Sequence, residues 1–133
     1  MTTTTRGDAE ELPFVPGAAP PVGALERRVL DVLWKTRQAH TARRMVAALV
    51  AESGQKPAYT TVATVLSHLV DKALVDRELI GGVWSYSAAL TGCQFSAAHM
   101  VRALDETNDR RRCLTRFAGM LDAEDVAFLR SLL

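Results

Sequence analysis

Three apolar stripes at helical spacing, followed by two short extended runs around a Gly-Gly pair, fill residues 25–87. Few folds accept that order. The first stripe is Leu25, Val29, Leu30, Val32, Leu33 and Trp34, with Glu26, Arg27, Arg28, Asp31 and Lys35 on the other side. Such a period predicts an amphipathic helix. A polar link from Thr36 to His40 follows. Thr41 is placed to cap a second helix through its hydroxyl. Met45, Val46, Leu49 and Val50 form the stripe of that helix, and Arg43 and Arg44 lie off it. Ser53-Gly54-Gln55-Lys56-Pro57 breaks the chain. A third helix is expected from about Tyr59 to Lys72, burying Val62, Val65, Leu66 and Leu69. The runs Leu74 to Leu79 and Val83 to Ser87 flank Ile80-Gly81-Gly82, a pair that tolerates the positive φ of a tight hairpin. The expected fold is mainly α with a small β-hairpin wing: a winged helix-turn-helix.

The flanks differ in character. Residues 1–22 hold four of the five prolines and a run of four threonines, and are expected to be a flexible tail. Residues 23–90 make the winged-helix domain. Residues 91–133 carry three further amphipathic segments, about Gln94–Glu106, Arg110–Leu121 and Ala123–Leu132. Some 40 residues are marginal for an independent core, so these helices are expected to bury their apolar faces against a second copy. The dimer contacts expected are Phe95, Met100, Leu104, Leu114, Phe117, Leu121, Val126 and Leu129.

Charge narrows the function. The whole chain, with 16 Lys and Arg against 15 Asp and Glu, is close to neutral. A nucleic-acid role must then rest on a local patch. The middle segment supplies one: residues 23–90 hold nine basic residues against six acids, whereas residues 1–22 have a net negative charge and residues 91–133 are balanced. The exposed side of the third helix is unusual as well. Thr60, Thr61, Thr64, Ser67, His68 and Lys72 are short or hydrogen-bonding groups where Glu and Lys would serve a merely solvated helix. Threonines cost a few tenths of a kcal/mol each in helix propensity, roughly, which suggests another use. In a helix-turn-helix the second helix enters the major groove, where Thr and Ser hydroxyls meet base edges and Thr methyls meet thymine methyls. Tyr59, Thr60, Thr61, Thr64, Ser67 and His68 are the expected contacts to double-stranded DNA. Arg43, Arg44 and Lys72 are the expected phosphate contacts.

Other chemistries lack support. His40, His68 and His99 have no metal-ligand spacing with Cys93 or Cys113, and the two cysteines make no disulfide framework. There is no phosphate loop, nucleophile motif or carboxylate pair, so neither an enzyme nor a cofactor is expected. No apolar run approaches the ~18–20 residues of a membrane span and no secretory signal opens the chain, so a cytoplasmic protein without membrane insertion is expected. Trp34 reads as a core anchor, and Trp84 and Tyr86 as packed on the helices.

The segment Leu25-Glu26-Arg27-Arg28-Val29-Leu30-Asp31-Val32-Leu33-Trp34, with Thr41-Ala42-Arg43-Arg44-Met45-Val46 and the run from Tyr59-Thr60-Thr61-Val62 to Val75, resembles the penicillinase repressor family of the BlaI, MecI and CopY type. The resemblance covers about residues 23–133 and is strongest through position 75. It implies a homodimeric repressor on a palindromic operator, controlling β-lactam or cell-envelope stress genes. In several members a membrane metalloprotease sensor triggers cleavage at an Asn-Phe bond in the dimerisation helices. By distance from the C-terminus that bond falls near Arg116-Phe117, where the Asn is absent. The wing tip is Gly81-Gly82 where Gly-Arg is common, His68 replaces a common Arg, and Ala73 a common Gly. The C-terminal Cys-x-Cys cluster of copper-responsive members is missing. Two other readings stand beside the repressor. One is a winged helix kept as a protein-interaction module without DNA readout. The other is a small-molecule sensor with its pocket between the winged helix and the C-terminal helices.

Overall fold

The computed structural model describes residues 20–133, so the expected tail lies almost wholly outside the described residues. Helix α1 (Ala24–Thr36) is followed by a two-residue strand β1 (His40–Thr41), then α2 (Ala42–Ser53) and α3 (Tyr59–Asp71). Strands β2 (Val75–Ile80) and β3 (Val83–Ala88) form the hairpin, and α4 (Gly92–Asp105), α5 (Arg110–Met120) and α6 (Ala123–Leu132) follow.

Local chemistry sets these boundaries. The Thr41 hydroxyl accepts the Arg44 N–H at 3.2 Å and starts α2. Gly54, at φ 76°, ends it in the left-handed conformation. Gly81 and Gly82 take φ 59° and 81°, as a two-residue hairpin turn requires. Thr91 and Gln94 cap α4 reciprocally, each side chain at 3.0 Å from the other's backbone N–H. Asp109 and Asp122 cap α5 and α6, accepting the N–H groups of Arg112 and Asp125 at 3.1 and 2.8 Å.

The core lies where the three apolar stripes meet. Val29, Leu30, Met45, Leu49, Val62, Leu66 and Leu69 are wholly buried there, and Leu33, Leu74 and Val75 nearly so. Val65 is half-buried. The sheet has the order β1-β3-β2, all antiparallel. The end of the polar link is therefore structural: His40 pairs with Tyr86, Thr41 pairs with Ser85, and His40 is buried. Two residues carry too little pattern to read as a strand without their partner.

The helical region begins inside this core. Phe95, expected at the subunit contact, is 2% exposed within the protomer, with its ring centroid 5.1 Å from that of Trp34. Ala98 is buried beside it in the core cluster. The Trp34 indole N–H donates to the Leu90 carbonyl at 2.9 Å, so the tryptophan anchors α1 to the chain entering α4. Beyond α4 the picture changes. Helices α5 and α6 contain no buried residue at all. Leu114, Phe117, Met120, Phe128, Leu129 and Leu132 are all exposed, as is Met100 on α4. Leu104, Leu121 and Val126 are half-buried.

Candidate nucleic-acid interface

Helix α3 is held by its buried stripe, which fixes what its other side shows. With Val62, Leu66 and Leu69 turned inward, positions three and four apart on the far face turn outward together. Thr60, Thr61, Thr64 and His68 are exposed, Ser67 is half-buried, and Tyr59 is 54% exposed at the helix start. None of these hydroxyls is drawn into the protomer core. The N-cap, Ala58, makes no side-chain cap to the first turn. Arg43 and Arg44, both exposed, stand at the start of α2.

Lys72 departs from expectation. Its ammonium lies 2.8 and 2.9 Å from the two carboxylate oxygens of Glu26 and 3.1 Å from the Pro21 carbonyl. The side chains of Lys72 and Glu26 are 31% and 12% exposed. The charge is spent tying the end of α3 to α1, so Lys72 is withdrawn from the phosphate contacts. Burial pushes the Glu26 carboxyl up. The Gly23 N–H, Lys72 and His68 outweigh it and hold the carboxyl below its usual value.

Two troughs flank the start of α3. One, of about 530 Å³, lies between Arg43, Val50, Lys56 and Tyr59. The other, of about 610 Å³, runs toward the wing between Thr41, Arg43, Tyr59, Ala63, Val83 and Trp84. Lys56 is a residue that sequence reasoning passed over. Its place in the breaker just before α3 was the available signal. Tyr86 is buried as expected, whereas Trp84 stays 40% exposed. The Arg77 guanidinium lies 4.2 Å from the Trp84 ring centroid. Gly81-Gly82 leaves the tip without a cation, yet the wing carries one further down its strand. Among the described residues no cluster of three or more His, Cys, Asp or Glu could hold a metal ion. No described helix is long and apolar enough to cross a membrane.

A family model for the penicillinase repressor matches residues 22–133. The chain belongs to the penicillinase repressor family. It is 34% identical over 112 residues to the transcriptional regulator BlaI of Mycobacterium tuberculosis, spanning 82% of this chain and 80% of that one. The fold is similar to that of RosR from H. salinarum in a solved complex, with a TM-score of 0.53 and 21% identity over 84% of this chain and 96% of RosR. Family membership makes the protein a DNA-binding transcriptional repressor rather than an enzyme.

Proposed function

We propose that two copies of this chain bind a palindromic operator, each presenting α3 to the major groove of one half-site. The exposed Thr60, Thr61, Thr64 and His68 side of α3, next to Arg43 and Arg44, is the observation that carries this reading. Hydroxyls and thymine-seeking methyls discriminate base pairs, and Arg43 and Arg44 set the register on phosphates. Tyr59 and Ser67 complete the contact from the ends of the same side. The uncapped start of α3 adds the positive end of a helix dipole close to the backbone.

The dimer reading rests on α5 and α6. Two helices without a buried side chain, carrying exposed Leu114, Phe117, Met120, Phe128 and Leu129, gain their stability from packing against something. A second copy with the same faces supplies it, with Met100, Leu104, Leu121 and Val126 at the margins. In this reading the controlled genes answer β-lactam or cell-envelope stress. Release follows proteolysis within the dimerisation helices by a membrane metalloprotease sensor, near Arg116-Phe117, where this chain lacks the family's Asn.

A fluorescence anisotropy titration against an operator selected from random sequence tests the DNA half of the proposal. Tight binding to the selected duplex over random duplex is expected, with two protomers per site. Equal affinity for both would overturn base readout by α3.

A further inference from the structure

Three side chains with unused hydrogen-bonding groups converge where the start of α1 faces α4. A cavity of about 540 Å³ lies there, bordered by Pro21, Val22 and Arg27 on one side and by Phe95, Ser96 and His99 on the other. Small-molecule sites are commonly about 300–1,000 Å³. The Arg27 Nε–H donates to Asp31 at 3.1 Å in an exposed pair, and the two terminal amino groups of its guanidinium make no hydrogen bond among the described residues. That guanidinium lies 5.4 and 5.6 Å from the ring centroids of Trp34 and Phe95, which orders the planar group while leaving its outer edge open. Ser96 is exposed, and its hydroxyl is unpaired among the described residues. His99 packs on Phe95 with ring centroids 4.2 Å apart. Its Nε2 is shut off from solvent without a hydrogen-bond partner. A nitrogen left in that state carries a desolvation cost, which a partner met by a small turn of the ring recovers.

This set of groups selects a ligand by charge and shape. A guanidinium fork beside a hydroxyl and an imidazole matches a carboxylate. The start of α1 has no side-chain cap, so the positive end of its dipole favours the same anion. The two acids close by are already engaged, Asp31 by Arg27, and Glu26 by Lys72 and the Gly23 N–H. Phe95, Pro21 and Val22 offer apolar surface to the remainder of the ligand. The position matters as much as the chemistry. Glu26, next to Arg27 in the chain, is bonded to Lys72 at the end of α3, and α4 leads on to α5. A molecule held between α1 and α4 therefore touches the helix tied to the reading head and the helix that leads to the arm.

We propose that this cavity is an effector site for a small organic anion with a flat apolar body. Arg27 and Ser96 bind the carboxylate, His99 donates a further hydrogen bond, and occupancy changes affinity for the operator. The effector role rests on the reading of α3 as the base-reading helix; the binding site does not.

Isothermal titration of the full chain with 2-naphthoate tests the site, with 2-naphthalenemethanol as the neutral counterpart. Saturable binding of the anion, tighter than that of the alcohol, is expected. Arg27→Met should weaken the anion about tenfold, the worth of a charge-assisted pair, and leave the alcohol unchanged. His99→Phe keeps the ring on Phe95 and removes the nitrogens. It should weaken the anion without lowering the melting temperature, which a merely structural histidine does not predict. Ser96→Trp, which fills the mouth from an exposed position, should abolish binding of both. No saturable binding of 2-naphthoate, or equal affinity in wild type and Arg27→Met, overturns the site. Anisotropy on the selected operator with and without 2-naphthoate then reads the effector role. Unchanged operator affinity at saturation overturns that role, whereas failure to prefer the operator without any ligand overturns the reading of α3 and leaves the anion site standing.

Discussion

The ammonium of Lys72, the residue that caps the end of α3, lies 2.8 Å from Glu26 in the first turn of α1. The same carboxylate accepts the Gly23 N–H at 2.7 Å. One buried-side acid thus fixes both the start of α1 and the end of α3. The orientation of α3 against the three-helix core is set partly by this pair, whose charge is then no longer offered to DNA.

This pair gives a pH dependence with a definite sign. The folded chain holds the Glu26 carboxyl below its unfolded value. Its contribution is complete above the ordinary carboxylate range and is lost as pH falls through the lowered folded pKa. Glu26→Gln should cost about 1 kcal/mol at neutral pH, since the pair is only partly buried. Urea denaturation at neutral and acid pH checks it: the gap between wild type and variant should narrow as the pH falls. A gap that widened would contradict the assignment.

Helix α3 ends in a Schellman motif. The Leu74 N–H donates to the Leu69 carbonyl at 3.0 Å and the Ala73 N–H to Val70 at 2.9 Å. Ala73 sits at φ 63°, where a Cβ is strained. It is exposed, so replacing it removes no packing. Ala73→Gly should raise stability by about 1 kcal/mol, the relief of left-handed strain exceeding the extra entropy of glycine in the unfolded chain. A thermal melt measures the shift. An unchanged or lower melting temperature would show that the turn holds no strain.

Phe95 and Phe117 should separate folding from assembly. Phe95 is buried against Trp34, so Phe95→Ala should destabilise the protomer by about 3–5 kcal/mol. Phe117 is 41% exposed on a helix without a core. Phe117→Asp should leave the winged-helix core folded and shift sedimentation toward the monomer. A Phe117→Asp chain that sediments as a dimer would move the subunit contact elsewhere.

Most of the fold was legible because its helices are amphipathic and long. The stripes ending in Trp34, Val50 and Leu69 and the Gly81-Gly82 turn each announce an element by local pattern alone. What escaped depends on partners distant in sequence. His40 and Thr41 become a strand only beside Tyr86 and Ser85. Phe95 has the same apolar signature whether it faces Trp34 or a second subunit. Lys72 and Arg77 are both basic residues near the predicted site, and only three-dimensional neighbours tell them apart. Glu26 takes up the charge of one, and the other lies over the Trp84 ring. The hydroxyl side of α3 needed no such neighbours, because its composition departs from that of an ordinary solvated helix.

The central claim is that this hydroxyl side reads bases, and the most direct measurement compares selected and random duplex for Thr61→Ala and Thr64→Ala. Each should weaken binding to the selected operator by ~1–3 kcal/mol while random duplex binds nearly as before. If both variants keep the full preference for the operator, α3 is not the reading helix and the account is contradicted.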